Sequence, residues 1–394
     1  MSTNHRNASF KRWGLSNSPF VSLPPASEEE RQRVFTGRQE EVDRLLNLVE
    51  RPRGVFLVGL FGVGKSILVL EALRRLNETG HITAYAKFYR ELGFTRSVLK
   101  KLAVACPHHE RNAIYQILIK GKSVSQRGEI DIKDIDEAVY DVRSPMGAIE
   151  DIASLFKKRD GTTFFVVVDD LDKGTDIGDI NEIIQDTRQL IEVGCTVILP
   201  GHPFGSTAAL SSSADILNPI PLEPLSEAEL VEMMGKYLDL SRDKDQQINE
   251  RTHPFTQDAA RLIAKGIAEF GLTPRIFNFA CHLFLEEAAG EGVEVIDHHF
   301  ISERWADIAK NFLTSLKEND KRHLQIIYGN KRFLSEDTRE PIRQIGGELA
   351  QYSEVRGILA KLIQENVLIE GVEEGKRKIT TNPILDDSNF FFIR

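Results

Sequence analysis

Gly54-Val55-Phe56-Leu57-Val58-Gly59-Leu60-Phe61-Gly62-Val63-Gly64-Lys65-Ser66 decides the fold. The apolar run Val55 to Val58 predicts a strand buried on both faces. The glycines after it allow backbone torsions that most residues avoid, so successive N–H groups can turn inward around an anion. The segment from Lys65 to about Leu76 reads as an amphipathic helix whose positive end faces the same anion. Residues 59–66 match the pattern GxxxxGK[ST]. That pattern assigns phosphate binding to Gly59, Phe61, Gly62, Val63, Gly64, Lys65, Ser66 and Ile67. Lys65 can reach the β- and γ-phosphates, and the Ser66 hydroxyl can ligate Mg²⁺, so ATP and Mg²⁺ are the expected cofactors.

A second acidic signal supports the first. Phe164-Phe165-Val166-Val167-Val168-Asp169-Asp170-Leu171-Asp172 is an apolar strand ending in carboxylates. Asp169 is expected to hold Mg²⁺ through water, and Asp170 to polarise the attacking water. A glutamate is usual at the second position. Asp170 is one methylene shorter, which predicts slow hydrolysis.

Further strands are expected at Ile82–Tyr89, Thr162–Val168 and Thr196–Leu199. They alternate with helices that include Ile180–Val193. The class is α/β, a parallel sheet with helices on both faces. Thr36-Gly37-Arg38-Gln39 reads as a capping box opening a helix, and residues 95–160 read as mostly helical. From Ser226 onward the pattern is helical, with starts at Ser226, Thr256 and Thr273-Pro274. Two short strands, Val367–Glu370 and Lys378–Thr381, follow a capped helix at Ser353–Glu365, the outline of a winged helix. Residues 1–34 read as an extended leader, kept from helix by Pro19, Pro24 and Pro25. Its Trp13, Leu15 and Phe20 are expected to pin it to the domain that follows.

The chain has 394 residues, 41% hydrophobic and 28% charged, a globular composition that excludes wholesale disorder and coiled-coil rods. Its formal charge of −9 argues against coating nucleic acid over the whole surface. Three scattered cysteines, Cys106, Cys195 and Cys281, argue against a disulfide framework and fit a reducing cytoplasm. The most apolar stretch, Val55 to Val63, is too short to span a bilayer, and the N-terminus, Met1 to Phe20, has no apolar signal region.

With these motifs, the sequence resembles AAA+ P-loop ATPases of the origin-recognition and STAND type. It is also similar to transposition and secretion regulator ATPases. The resemblance runs from Phe35 to about Ile301. It implies a P-loop core at 35–222, a helical lid at 223–300 and a winged-helix-like domain at 301–394. Phe35-Thr36-Gly37-Arg38-Gln39-Glu40-Glu41 resembles the entry motif beside the adenine, which implies a nucleotide contact for Arg38. Thr196-Val197-Ile198-Leu199-Pro200-Gly201-His202-Pro203 resembles the fourth strand and the sensor-1 turn, with His202 at the sensor position. Pro221 to Ser226 resembles the crossover into the lid. Gly271-Leu272-Thr273-Pro274-Arg275 resembles sensor 2, which implies that Arg275 reaches the γ-phosphate.

Ring-forming members offer an arginine finger between sensor 1 and the lid, and residues 203–226 contain no Arg or Lys. Arg188 is the nearest substitute. A homo-oligomer therefore has no clear finger, and a nucleotide-gated switch fits better than a ring motor. Residues 301–394 carry 15 Lys+Arg against 15 Asp+Glu, a neutral balance. Residues 353–381, with Lys376-Arg377-Lys378 in the wing, could meet duplex DNA, and a protein partner fits the neutral balance as well. The apolar tail Phe390-Phe391-Phe392-Ile393 is expected to pack on its own domain. If the glycine turn holds ATP, Lys65→Ala abolishes nucleotide binding or turnover. A titration showing wild-type affinity, together with wild-type hydrolysis, would defeat the assignment.

Overall fold

The computed structural model describes residues 10–20, 27–50, 53–120, 130–157, 162–171, 177–203, 207, 210–211, 213, 215–242, 250–317, 361–373, 376–382 and 385. In chain order the elements begin with α1 (Glu28–Val34), α2 (Gln39–Leu46), β1 (Gly54–Val58), α3 (Lys65–Glu78) and β2 (Ile82–Lys87). Four helices follow: α4 (Phe94–Ala105), α5 (Arg111–Leu118), α6 (Ile132–Tyr140) and α7 (Pro145–Lys157). Then come β3 (Phe164–Asp169), α8 (Ile177–Glu192), β4 (Cys195–Gly201) and β5 (Leu217–Pro221). The remainder is α9 (Glu227–Ser241), α10 (Gln257–Glu269), α11 (Pro274–Glu291), α12 (His298–Ser315), β6 (Leu368–Glu373) and β7 (Lys376–Thr381).

Residues 38–59 and 64–223 form one compact unit. Its five strands run in the order β2-β3-β4-β1-β5, with every neighbouring pair parallel. This is the parallel α/β sheet expected from the sequence. β3 and β4 are buried at every residue, as expected of strands covered on both faces. The stretch from 95 to 157 supplies α4 to α7. Leu99, Leu102, Ile114, Ile135, Val139, Ile149 and Ile152 join Val166, Val168 and Leu199 in one core. The three cysteines are buried, and none is in a disulfide.

β5 was not expected. Leu217-Asn218-Pro219-Ile220-Pro221 carries two prolines, which argue against a central strand. It lies at the sheet edge, where a missing N–H on the outer side costs no ladder bond. The capping box at Thr36 is also corrected. Arg38 occupies the N-cap of α2 without a side-chain cap, and the Thr36 hydroxyl donates to the Val34 carbonyl at 3.0 Å. Gly37, at φ +66°, bends the chain between them, so Thr36 sits too early to cap the helix.

The second compact unit comprises residues 1–37, 60–63 and 224–394. The expected starts of α9, α10 and α11 hold. Ser226 and Glu229 form a reciprocal capping box, Thr256 caps α10, and Thr273 precedes Pro274 at the first position of α11. The leader departs from the extended expectation. Ser27 and Glu30 form a capping box for α1, and Lys11–Trp13 is a short 3₁₀ turn. Both lie clear of the three prolines. The leader's anchors pack not on the domain that follows but on the late helices. Phe10, Trp13, Leu15 and Phe20 share a core with Met234, Tyr237, Phe277, Phe284 and Trp305. The Trp13 indole N–H donates to the Glu294 carbonyl at 2.8 Å.

The apolar face of α12, through Ile301, Trp305 and Ile308, lies in that same core. β6 and β7 pair antiparallel, with Leu368 opposite Thr381 and Glu373 opposite Lys376. The helix expected at Ser353–Glu365 is described only from residue 361, and the tail at Phe390–Ile393 lies outside the described residues. Among the described residues no helix is long and apolar enough to cross a membrane. Trp13→Ala empties a site that is 1% exposed, so equilibrium unfolding should register a loss of about 3–5 kcal/mol. A change below about 1 kcal/mol would show that the leader does not contribute to the core.

Candidate nucleotide site

The site begins with the geometry of the glycine turn. Gly62 and Gly64 have φ of +80° and +105°, in the left-handed region where a Cβ is penalised. The Gly59 N–H donates to the Gly201 carbonyl at 3.2 Å, tying the start of the turn to the end of β4. The Val63 N–H bonds the Leu60 carbonyl at 3.3 Å and tightens the turn. α3 then starts at Lys65 with no side-chain cap on Gly64, so the turn and the helix start offer backbone N–H groups to an anion. The Lys65 ammonium donates to the Gly59 carbonyl at 2.6 Å, folded back over the turn that precedes it.

The parallel ladder brings the acidic end of β3 to this turn. The Ser66 hydroxyl donates to Asp169 Oδ2 at 2.7 Å, although 103 residues separate them. Asp169 is buried, and its Oδ1 accepts the N–H of Asp170 at 2.8 Å. A hydroxyl and a carboxylate side by side are hard oxygen donors, the kind that suit Mg²⁺ shared with phosphates. Asp170 leaves the strand at φ +64°, a left-handed conformation that Asp tolerates better than most residues. Its carboxylate is held by Lys87 at 3.3 Å.

Two residues of β2 join the site that the motif reading did not include. Tyr85 donates its hydroxyl to Asp169 Oδ2 at 2.5 Å, and Lys87 pairs with Asp170. Burial, followed by the charge of Asp169, its hydrogen bond and the charge of Asp170, holds the Tyr85 phenol well above its usual pKa, so it remains a donor. The register explains their place, since Lys87 lies opposite Asp169 and Tyr85 opposite Val167. A polar Tyr and Lys alternating with buried Ala84 and Ala86 is the signal in the sequence that could have found them.

The sequence-expected residues divide by position. Lys65, Ser66, Asp169 and Asp170 lie on the carboxyl side of the sheet. His202 follows Gly201 at the end of β4 and is 3% exposed. Its N–H donates to the Thr207 hydroxyl at 3.2 Å, and that hydroxyl donates back to the His202 carbonyl at 3.0 Å. Arg38 is buried in a clamp, donating to Glu41 at 3.1 Å and to the Glu223 carbonyl at 2.5 Å. Arg188 forms an exposed ion pair with Asp215 at 2.9 Å. Arg275 belongs to the other compact unit. There its backbone N–H reaches the Gly62 carbonyl at 3.4 Å. Its guanidinium is largely buried, which pulls its pKa below the arginine range. A cavity beside it is lined by Leu60, Phe61, Leu272, Thr273, Asn366 and Glu370.

A family model for the AAA ATPase domain matches residues 34–193. No curated protein matches the sequence. Among solved structures, the chain is similar to the Aeropyrum pernix ORC1 protein in complex with DNA, at 17% identity and a TM-score of 0.48, covering 93% of each chain. It is also similar to a Walker-type ATPase of Pyrococcus abyssi, at 15% identity and a TM-score of 0.46, over 95% of this chain and 100% of that one. The RuvB Holliday junction branch migration motor of Thermotoga maritima gives 16% identity and a TM-score of 0.43, over 91% and 96%.

The two left-handed glycines make separable predictions. Nothing lies within 4 Å of a Cβ at Gly64, so Gly64→Ala should cost only backbone strain, about 1–2 kcal/mol. A Cβ at Gly62 would collide with Cβ of Arg275, so Gly62→Ala should lower thermal stability further. Equal melting temperatures for the two variants would contradict the close approach of Arg275 to the turn.

Proposed function

We propose, from the match of residues 34–193 to the AAA ATPase domain, that the protein is a slowly hydrolysing ATP switch whose nucleotide state governs engagement of duplex DNA or of a DNA-associated partner. The observation that carries the nucleotide reading is the 2.7 Å bond from Ser66 to Asp169 beside a left-handed glycine turn. Such a pair, with the turn's N–H groups, suits a triphosphate and its Mg²⁺. Bound Mg²⁺ supplies charge neutralisation on the phosphate oxygens.

The chain's own residues then take distinct parts. The N–H groups of Phe61, Gly62 and Gly64 through Ile67 bind phosphate oxygens, and Lys65 adds a positive charge, while the N–H groups of Gly59 and Val63, bonded to the Gly201 and Leu60 carbonyls, hold the shape of the turn. Ser66 and Asp169 offer their oxygens to the cation. Asp170 orients the attacking water. Its short side chain and its ion pair with Lys87 support low turnover. His202 and Arg275 are assigned to sensing the γ-phosphate, whose loss removes the charge that holds a guanidinium in place. Arg38 is assigned a place beside the base. Its ties to Glu41 and Glu223 favour a role in shaping that wall over a direct bond to the nucleotide.

The working division is a leader (1–34), an ATPase core (35–222), a lid (223–300) and a winged-helix-like module (301–394). The DNA part rests on the β6–β7 ribbon and on the basic run Lys376-Arg377-Lys378. The neutral balance of residues 301–394 favours a second reading, in which this module binds a protein.

Duplex binding by the full chain, measured against salt with and without ATP, separates the two. The first reading expects log affinity to fall linearly with log salt, at a slope of roughly −2 to −3 for two or three phosphate contacts. It also expects ATP to change the affinity. Absence of binding at low salt in both states removes DNA. The second reading then requires a stoichiometric protein partner that is lost on deleting residues 318–394, a deletion that spares α12.

A further inference from the structure

Tyr85 lies outside the motifs that define the nucleotide site, yet it touches their central carboxylate. Its hydroxyl donates to Asp169 Oδ2 at 2.5 Å, the same oxygen that accepts the Ser66 hydroxyl at 2.7 Å. Oδ1 is taken by the Asp170 N–H at 2.8 Å. Three donors from three segments therefore fix the plane of one carboxylate. Tyr85 reaches it because β2 and β3 are paired in parallel, with Tyr85 opposite Val167. Its long side chain spans the two residues, about 6.6 Å of strand, from Val167 to Asp169.

We propose that Tyr85 is a positioning residue for the Mg²⁺ that accompanies ATP. It holds the Asp169 carboxylate so that Ser66, donating its one hydrogen to Asp169, turns its lone pairs toward the cation. A serine hydroxyl has one hydrogen and two lone pairs, so the direction of its donated bond decides where those lone pairs point. The phenol donates to the carboxylate and does not itself ligate the metal. Partners of this kind orient metal ligands, and their loss typically lowers metal affinity by about 10- to 100-fold.

The proposal rests on the reading that MgATP binds here. Binding of a fluorescent ATP analogue to the full chain is followed during a Mg²⁺ titration and separately in excess chelator. Tyr85→Phe retains the ring and leaves Asp169 two other donors. It should bind the analogue in chelator as the wild type does, while its half-maximal Mg²⁺ concentration rises about 10-fold or more. An unchanged Mg²⁺ midpoint overturns the proposal. An equal loss with and without Mg²⁺ also overturns it, because a packing role would act in both conditions. If Tyr85→Phe does not fold, Tyr85→Leu provides the same comparison, since it also lacks the hydroxyl and keeps an apolar side chain. A wild-type chain that binds no analogue in either condition defeats the nucleotide reading itself. A wild type with Mg²⁺-dependent binding that Tyr85→Phe reproduces defeats the role of Tyr85 alone.

Discussion

The carboxylate of Asp169 is the constraint around which the site is built. It is 6% exposed, and a buried carboxylate costs several kcal/mol unless donors surround it. The donors come from the first turn of α3, the middle of β2 and the residue after β3. Each can reach it only if β2 and β3 are in register and the glycine turn presents Ser66 to the carboxyl end of the sheet. Satisfying this one group therefore ties the phosphate turn to the parallel ladder, and a shift of register would leave a buried charge without its partners.

What could be read from the sequence was local. The apolar run into Gly59, the glycines and Lys65-Ser66 are contiguous, so residue type and order fixed the strand, turn and helix together. β3 was legible for the same reason, since five apolar residues before Asp169 leave little choice. The capping signals at Ser226 and Thr256 also act within one helical turn. Tyr85 and Lys87 were not legible as site residues. Their partners lie 84 and 83 residues away, and only strand order and register bring them close.

β5 was missed because Pro219 and Pro221 weigh against a strand, and tolerance of proline depends on lying at the edge, a property of the assembled sheet. α1 was missed because the expectation of an extended leader rested on three prolines, whereas the capping box of Ser27 and Glu30 starts a helix just after the last of them. The docking of Trp13 was misjudged because an aromatic residue in a leader shows that it needs burial but not against which helices.

The leader and the late helices share one core, so that core draws on both ends of a long stretch of chain. Trp13 bonds to a carbonyl 281 residues later, and residues 38–59 and 64–223 fold as a separate unit between them. During synthesis the chain is released from its N-terminus, at about 5–20 residues per second. Every strand of the five-stranded sheet has emerged once Pro221 is out, whereas Phe10, Trp13, Leu15 and Phe20 must wait for α9 to α12. For some seconds of translation at that rate, Phe10, Trp13, Leu15 and Phe20 lack the helices that bury them in the finished fold.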